Sequence, residues 1–183
     1  MRNTSCKLLR TNFAVIILIS VMLTMFLSCS KNNRYVNKEV GYEITGPSDW
    51  YIYPSSDGGI SFAKYNRKKY GNSTINVFPD TLISSANTPL EYMNNIFLPQ
   101  IQQGFQKQEG FIVKPISEPR IVERNNYQWA TVRYWLPEDT FQIVYITFSH
   151  RKIFIIVLSS TGSQHDEEED LFFNTLDSFK IYE

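Results

Sequence analysis

Cys29 carries the most definite chemistry in this sequence. It closes the run Phe26-Leu27-Ser28-Cys29, and a cysteine thiolate is nucleophilic enough to take a diacylglyceryl group as a thioether. The residues before it suit that reaction. Arg2, Lys7 and Arg10 give a positive amino terminus with no acidic residue, Phe13 to Leu27 is an apolar run, and the small Ser28 precedes the cysteine. These are the charged, apolar and cleavage regions of a secretory signal. With Cys29 they read as a lipoprotein signal over 1–28, leaving a mature chain that begins at the lipidated, palmitate-bearing cysteine. Two other readings compete. A membrane-spanning anchor needs about 20 apolar residues, more than lie between Asn12 and Ser28. An ordinary cleaved signal stays open, because Phe26 stands where bacterial lipoproteins usually carry Leu.

Other chemistry-bearing residues are sparse. The chain has 2 His, His150 and His165, and 2 Cys, of which Cys6 leaves with the signal and Cys29 is taken by lipid. No disulfide remains to hold the mature chain. There is no Gly-x-Ser-x-Gly elbow, no His-Glu-x-x-His and no glycine-rich phosphate loop, so the chain reads as non-catalytic, with no cofactor. His165-Asp166-Glu167 invites a metal reading. Acidic residues in a first helical turn are also favoured by the helix dipole, and that explanation carries more weight, so no metal site is assigned. His150 beside Arg151-Lys152 reads as a hairpin tip. Arg67-Lys68-Lys69 could touch an anionic surface, but three loop-tip charges are ordinarily solvated.

One segment suggests recognition. In Trp129-Ala130-Thr131-Val132-Arg133-Tyr134-Trp135, alternation puts Trp129, Arg133 and Trp135 on one strand face. Tryptophan and arginine are favoured interface anchors, so these three form a candidate partner-binding surface. The competing and weightier reading is a face packed under a helix, with Arg133 reaching solvent along its stem.

Charge narrows the partners. The chain has 18 basic and 18 acidic residues, and removing Arg2, Lys7 and Arg10 with the signal leaves an acidic excess of three. Nucleic-acid binding rests on many Lys and Arg contacts to phosphate, and a mildly acidic chain does not offer them. The roughly 155 residues after the signal are enough for one domain with its own core, expected over 39–183, with 29–38 as the lipidated cysteine and a polar tether.

The elements follow from periodicity. Val40, Tyr42 and Ile44 alternate as a strand, and Gly46-Pro47-Ser48-Asp49 turns the chain into Trp50-Tyr51-Ile52-Tyr53. Ile60 to Tyr65 and Ser73 to Phe78 read as an antiparallel hairpin. Thr88-Pro89-Leu90-Glu91 is a helix start with a capping box, and Pro99 predicts a kink or break near Leu98. Strands are expected at 111–116, 120–123, 127–136, 141–149 and 153–159, the last four joined by short turns as a meander. Ile153 to Leu158 is apolar on both faces, so both must be covered, and helices are the covers expected. A closing helix spans 166–178, with Phe172, Leu176 and Phe179 as its apolar face.

Gly41-Tyr42-Glu43-Ile44 with Pro47-Ser48-Asp49-Trp50 at the start, and Phe172-Phe173-Asn174-Thr175-Leu176-Asp177-Ser178-Phe179-Lys180 at the end, resemble the PsbP-like superfamily. The nearest context is the DcrB-type bacterial envelope lipoproteins. The resemblance implies an α+β fold, an antiparallel sheet with helices on both faces in an α/β/α sandwich, and an accessory or binding role rather than catalysis. The implied partner is an envelope protein or other envelope component; the alternative is a small-molecule or ion-binding module associated with a transporter. Ser30 after the cysteine predicts the outer membrane in a two-membrane cell, and otherwise the outer face of the plasma membrane.

Overall fold

The strands form in chain order as β1 (Arg34–Asn37), β2 (Tyr42–Thr45), β3 (Tyr51–Pro54), β4 (Ile60–Ala63), β5 (Thr74–Thr81), β6 (Arg120–Arg124), β7 (Tyr127–Leu136), β8 (Thr140–Ser149), β9 (Lys152–Thr161) and β10 (Lys180–Ile181). They make two sheets, a larger one ordered β3-β4-β5-β9-β8-β7-β6 and a smaller one ordered β1-β2-β10, with every pairing antiparallel. The structure is a computed structural model that describes residues 33–64, 73–81, 86–109, 112–113, 115–137, 139–149, 152–161 and 164–182. The signal, Cys29, Arg67-Lys68-Lys69 and His150 lie outside the described residues.

Turn chemistry sets the meander. Asn125 and Asn126 have φ of 51° and 64°, the two consecutive positive values that a type I′ hairpin requires and that Asn tolerates. Asp139 has a φ of 55° in the turn between β7 and β8, a left-handed conformation that Asp tolerates. The expected hairpin of β4 and β5 is present, in a register that sets Ala63 opposite Thr74. The segment expected as a strand at 111–116 yields only a bridge between Pro115 and Tyr134 among its described residues. Pro115 has no N–H to donate to a ladder.

The expected tether is also corrected. Residues 34–37 of the 29–38 segment are strand β1, and Asn33 is buried, donating its amide to the carbonyls of Pro47 at 2.5 Å and Trp50 at 2.6 Å. That side chain pins the turn before β3. Gly41 closes the β1–β2 hairpin with φ of +86°, a conformation that costs any other residue strain.

The first helical segment comprises α1 (Pro89–Tyr92), a π-helical stretch (Met93–Phe97) and α2 (Leu98–Glu109). The Thr88 hydroxyl accepts from Glu91 N–H at 3.2 Å, and the Glu91 carboxylate accepts from Asn87 N–H at 2.8 Å. The kink expected near Leu98 takes the form of the π stretch, in which Leu98 N–H reaches the Met93 carbonyl five residues back. In a regular α-helix the Pro99 ring would strike the carbonyl four residues earlier, and widening the preceding turn gives it room. The last helix, α3 (His165–Asp177), buries Glu168, Phe172, Thr175 and Leu176 along one side.

Alternation in β9 divides the core. Phe154, Ile156 and Leu158 join a cluster with Tyr42, Ile44, Trp129, Phe172, Leu176 and Phe179. Ile153 and Val157 join another with Tyr92, Met93, Phe97, Val132 and Tyr134. Both sides of β9 are therefore buried. Helices are not the only covers, since Tyr42 and Ile44 bring the smaller sheet into the first cluster beside α3.

Candidate functional site

Strand register builds two rows of side chains across the larger sheet. Consecutive pairings run Tyr51–Ala63–Thr74–Ser159–Gln142–Tyr134 in one row and Tyr53–Ser61–Asn76–Val157–Val144–Val132 in the next. Residues opposite one another in a ladder share a sheet face, so all twelve point the same way. Neither row holds a charged residue. At the β3 edge Tyr51 and Tyr53 are 54% and 53% exposed; at the other end Tyr134 and Val132 are buried in the cluster with Tyr92 and Phe97.

Where the rows approach the helical segment they form one wall of a cleft of about 410 Å³. Asn76, Gln142, Ser159 and Tyr134 supply its polar side, with the exposed Asp80 adding one carboxylate; Phe78, Ile155 and Val157 form the sheet's apolar side, and Tyr92, Phe97, Gln100 and Ile101 the helical side. The size lies in the ordinary range for small-molecule sites. Its polar groups are held in place by one another. Tyr134 Oη donates to Gln142 Oε1 at 2.7 Å, and Gln142 Nε2 donates to Ser159 Oγ at 2.8 Å. Next to them Ser61 Oγ donates to Asn76 Oδ1 at 2.6 Å, and Asn76 Nδ2 donates to Thr74 Oγ1 at 2.9 Å. Each amide commits one of its two N–H groups to these bonds, and the Ser159 hydroxyl, already accepting, keeps its own proton to donate. Burial raises the Tyr134 phenol above its ordinary value of 10.0, so it is a neutral donor at any physiological pH. The arrangement can orient an uncharged ligand by fixed donors and acceptors; it offers no paired nucleophile and base.

The residues singled out from sequence lie on the opposite face. Trp129 is fully buried, its ring 5.6 Å from Phe179 and 6.0 Å from Tyr145, its indole N–H donating to the Arg124 carbonyl at 3.1 Å. Arg133 pairs with Glu169 of α3. Trp135 packs on Phe141 at 5.1 Å and on His165 at 5.9 Å. This is the packed alternative: α3 lies over the strand, so Trp129, Arg133 and Trp135 do not form an open recognition face. His165 is part of that packing, its ring also 4.7 Å from Phe141 and its Nε2 2.8 Å from Asp166 Oδ1.

Glu168 stands among the acidic residues of the first turn of α3. It is 1% exposed, with Oε1 3.0 Å from Lys64 Nζ. Its Oε2 has no hydrogen-bond partner among the described residues, and neither do the buried hydroxyls of Ser73 and Ser160. A charge run in sequence conceals which acid faces inward; the four-residue spacing from Glu168 to Phe172 and Leu176 was the available signal. The cleft left no such signal, because its residues meet only through register.

No family model matches the chain, and no curated protein matches it in sequence. Solved structures do. The chain is similar to cyanobacterial PsbP (CyanoP) from Synechocystis sp. PCC 6803, with a TM-score of 0.64 at 15% identity over 85% of this chain and 95% of that one. It is similar to a protein from Bacteroides thetaiotaomicron VPI-5482, with a TM-score of 0.52 at 12% identity, over 84% of this chain and 49% of that one. LpqN, involved in cell envelope biogenesis of Mycobacterium tuberculosis, matches with a TM-score of 0.43 at 11% identity over 85% and 88%. Among the described residues, ten strands in antiparallel sheets, with a helical segment entering between β5 and β6 and a helix before the closing strand, make up the part that superposes on the first of these structures, and the chain has the PsbP-like fold.

Proposed function

We propose that this chain is a membrane-anchored protein of the cell envelope, tethered by lipid on Cys29, whose PsbP-like domain is a non-catalytic module that binds a small uncharged molecule. The cleft carries this reading: about 410 Å³, walled by Phe97, Ile101, Ile155 and Val157, with the Tyr134–Gln142–Ser159 hydrogen-bond chain fixing polar groups at its base. A pocket that is apolar with a few convergent polar groups favours a ligand over a broad protein contact. The reading takes the domain as an α/β/α sandwich, with 89–109 and α3 covering opposite faces; the division of β9 side chains between two clusters supports it. Envelope location rests on the sequence before Ser30. An envelope protein partner is the second reading, but the surface first suggested for it, Trp129, Arg133 and Trp135, lies against α3.

Ligand-observed NMR with a library of uncharged fragments tests the cleft. Binders are expected that lose their signal in Gln142→Leu and in Ile101→Trp, which fills the space. Fragments that bind both variants as well as wild type would remove the cleft from the argument. For the anchor, palmitate labelling is expected in wild type and absent in Cys29→Ala; label persisting in the variant would overturn lipidation.

A further inference from the structure

We propose that the two uncharged rows extend the cleft into a docking track for a neutral polyhydroxylated chain, an oligosaccharide without charged groups; this rests on the cleft as a ligand site. From β3 to β8 the track crosses four strand spacings, about 19 Å at roughly 4.8 Å each. A single small molecule in the cleft would not reach across it. Along it the chemistry is graded: the half-exposed rings of Tyr51 and Tyr53 at the edge, then Ser61, Thr74 and Asn76, then Ser159 and Gln142 at the cleft.

Three classes of occupant compete, and the rows separate them. A polyanion would find no counter-charge among the twelve row residues and would meet the Asp80 carboxylate at the cleft. An acyl chain would strip water from the uncommitted N–H groups of Asn76 and Gln142 and the Ser159 O–H without replacing their hydrogen bonds, at a cost of about 1–3 kcal/mol for each such group. An extended peptide brings backbone N–H and C=O groups needing partners, yet the backbone beneath the rows is already committed to the strand ladders from β3 to β8. Sugar rings meet the demand. Their C–H faces pack on tyrosine rings and their hydroxyls both donate and accept, which matches the amide N–H groups of Asn76 and Gln142 and the hydroxyls between them. Successive Tyr side chains two residues apart on one strand lie about 7 Å from each other, giving the chain two aromatic contacts before it reaches the cleft.

The test uses the full chain in a polyoxyethylene detergent, which carries no sugar headgroup, with calorimetry against cellohexaose, maltohexaose and chitohexaose, their monosaccharides, and hexagalacturonate as the charged control. At least one neutral hexamer is expected to bind, at least tenfold more tightly than hexagalacturonate. Tyr51→Ala and Tyr53→Ala should each weaken it tenfold or more, with monosaccharide binding in the cleft unchanged. No binding by any neutral hexamer overturns the proposal, as does hexagalacturonate binding equally well. Hexamer affinity unmoved by both tyrosine variants but lost in Gln142→Leu overturns the track while keeping the cleft. Capture of a protein that depends on Tyr51 and Tyr53, without glycan binding, also overturns it.

Discussion

Replacing Phe179 with Ala should remove the centre of the larger core cluster. The ring is fully buried and lies 5.4 Å from Phe154, 5.6 Å from Trp129, 5.9 Å from Tyr42 and 6.1 Å from Tyr127, centroid to centroid. Truncating a buried Phe costs about 3–5 kcal/mol through lost transfer energy and the cavity left behind. Aromatic pairs in tilted or edge-on geometry add about 0.5–1.5 kcal/mol each. Four such partners, from β2, β7 and β9, cannot all close the gap, which places the loss at about 5 kcal/mol. In a domain of about 150 residues, 1 kcal/mol moves Tm by about 2–4 °C, so a fall of about 10–20 °C is expected. The assay is calorimetry on the compact unit Asn33–Glu183, with near-UV circular dichroism to follow the ring environment. Leu171→Ala is the control: the side chain is 37% exposed on α3 and its loss should stay within about 1 kcal/mol. Phe179→Leu should recover part of the loss by refilling volume without restoring ring pairs. If Phe179→Ala melts within about 3 °C of wild type, or no lower than Leu171→Ala, the four rings do not meet there and the core is wrongly drawn.

Glu43, held by hydrogen bonds from Tyr182 and Arg34 and by Lys180, has its carboxyl lowered from 4.5 to about 2. Its stabilisation is therefore complete above about pH 4.5 and lost as pH falls toward about 2; acid melts of Glu43→Gln should be flatter than wild type in that window, and parallel curves would refute this. The Lys64–Glu168 pair should respond asymmetrically. Lys64→Ala strands a buried carboxylate and should cost about 3 kcal/mol or more, whereas Glu168→Leu removes an oxygen lacking a partner and lets the 38%-exposed Lys64 turn to water, so its melt should match or exceed wild type; the reverse order would sink the argument. Arg133→Ala, losing a part-exposed pair with Glu169, should lower stability by about 1 kcal/mol or less, and a drop above about 3 kcal/mol would mean that the guanidinium is buried more deeply than described.

Periodicity reached most of the larger sheet because its strands are long or bounded by strong turns. Tyr127–Leu136 is the strand expected, and Asn125-Asn126 places the hairpin between β6 and β7. The closing helix was legible from Phe172, Leu176 and the acidic start. Strand β1 was not. Arg34–Asn37 is only four residues inside a polar stretch, too short for alternation to register, and it is held by pairing with β2 rather than by its own apolar content. The smaller sheet vanished with it, since β10 has two residues and exists only because β2 is there to receive it. The cleft escaped a linear reading for a related reason. Tryptophan and arginine stand out in a linear reading, whereas Asn76, Gln142 and Ser159 are ordinary until register sets them beside one another.

The pairing of β10 with β2, Lys180 opposite Glu43 and Ile181 opposite Tyr42, has a consequence for the order of events at synthesis. Tyr42 is made well over a hundred residues before its strand partner Ile181 and the Phe179 ring it packs on. Contacts of such long sequence separation demand loop closure before they return any stabilisation. Nascent chain ending before Phe179 therefore has no way to complete the larger core, whatever local hairpins it forms. The apolar faces of Tyr42, Trp129 and Phe154 stay without the ring they pack on until that residue is made.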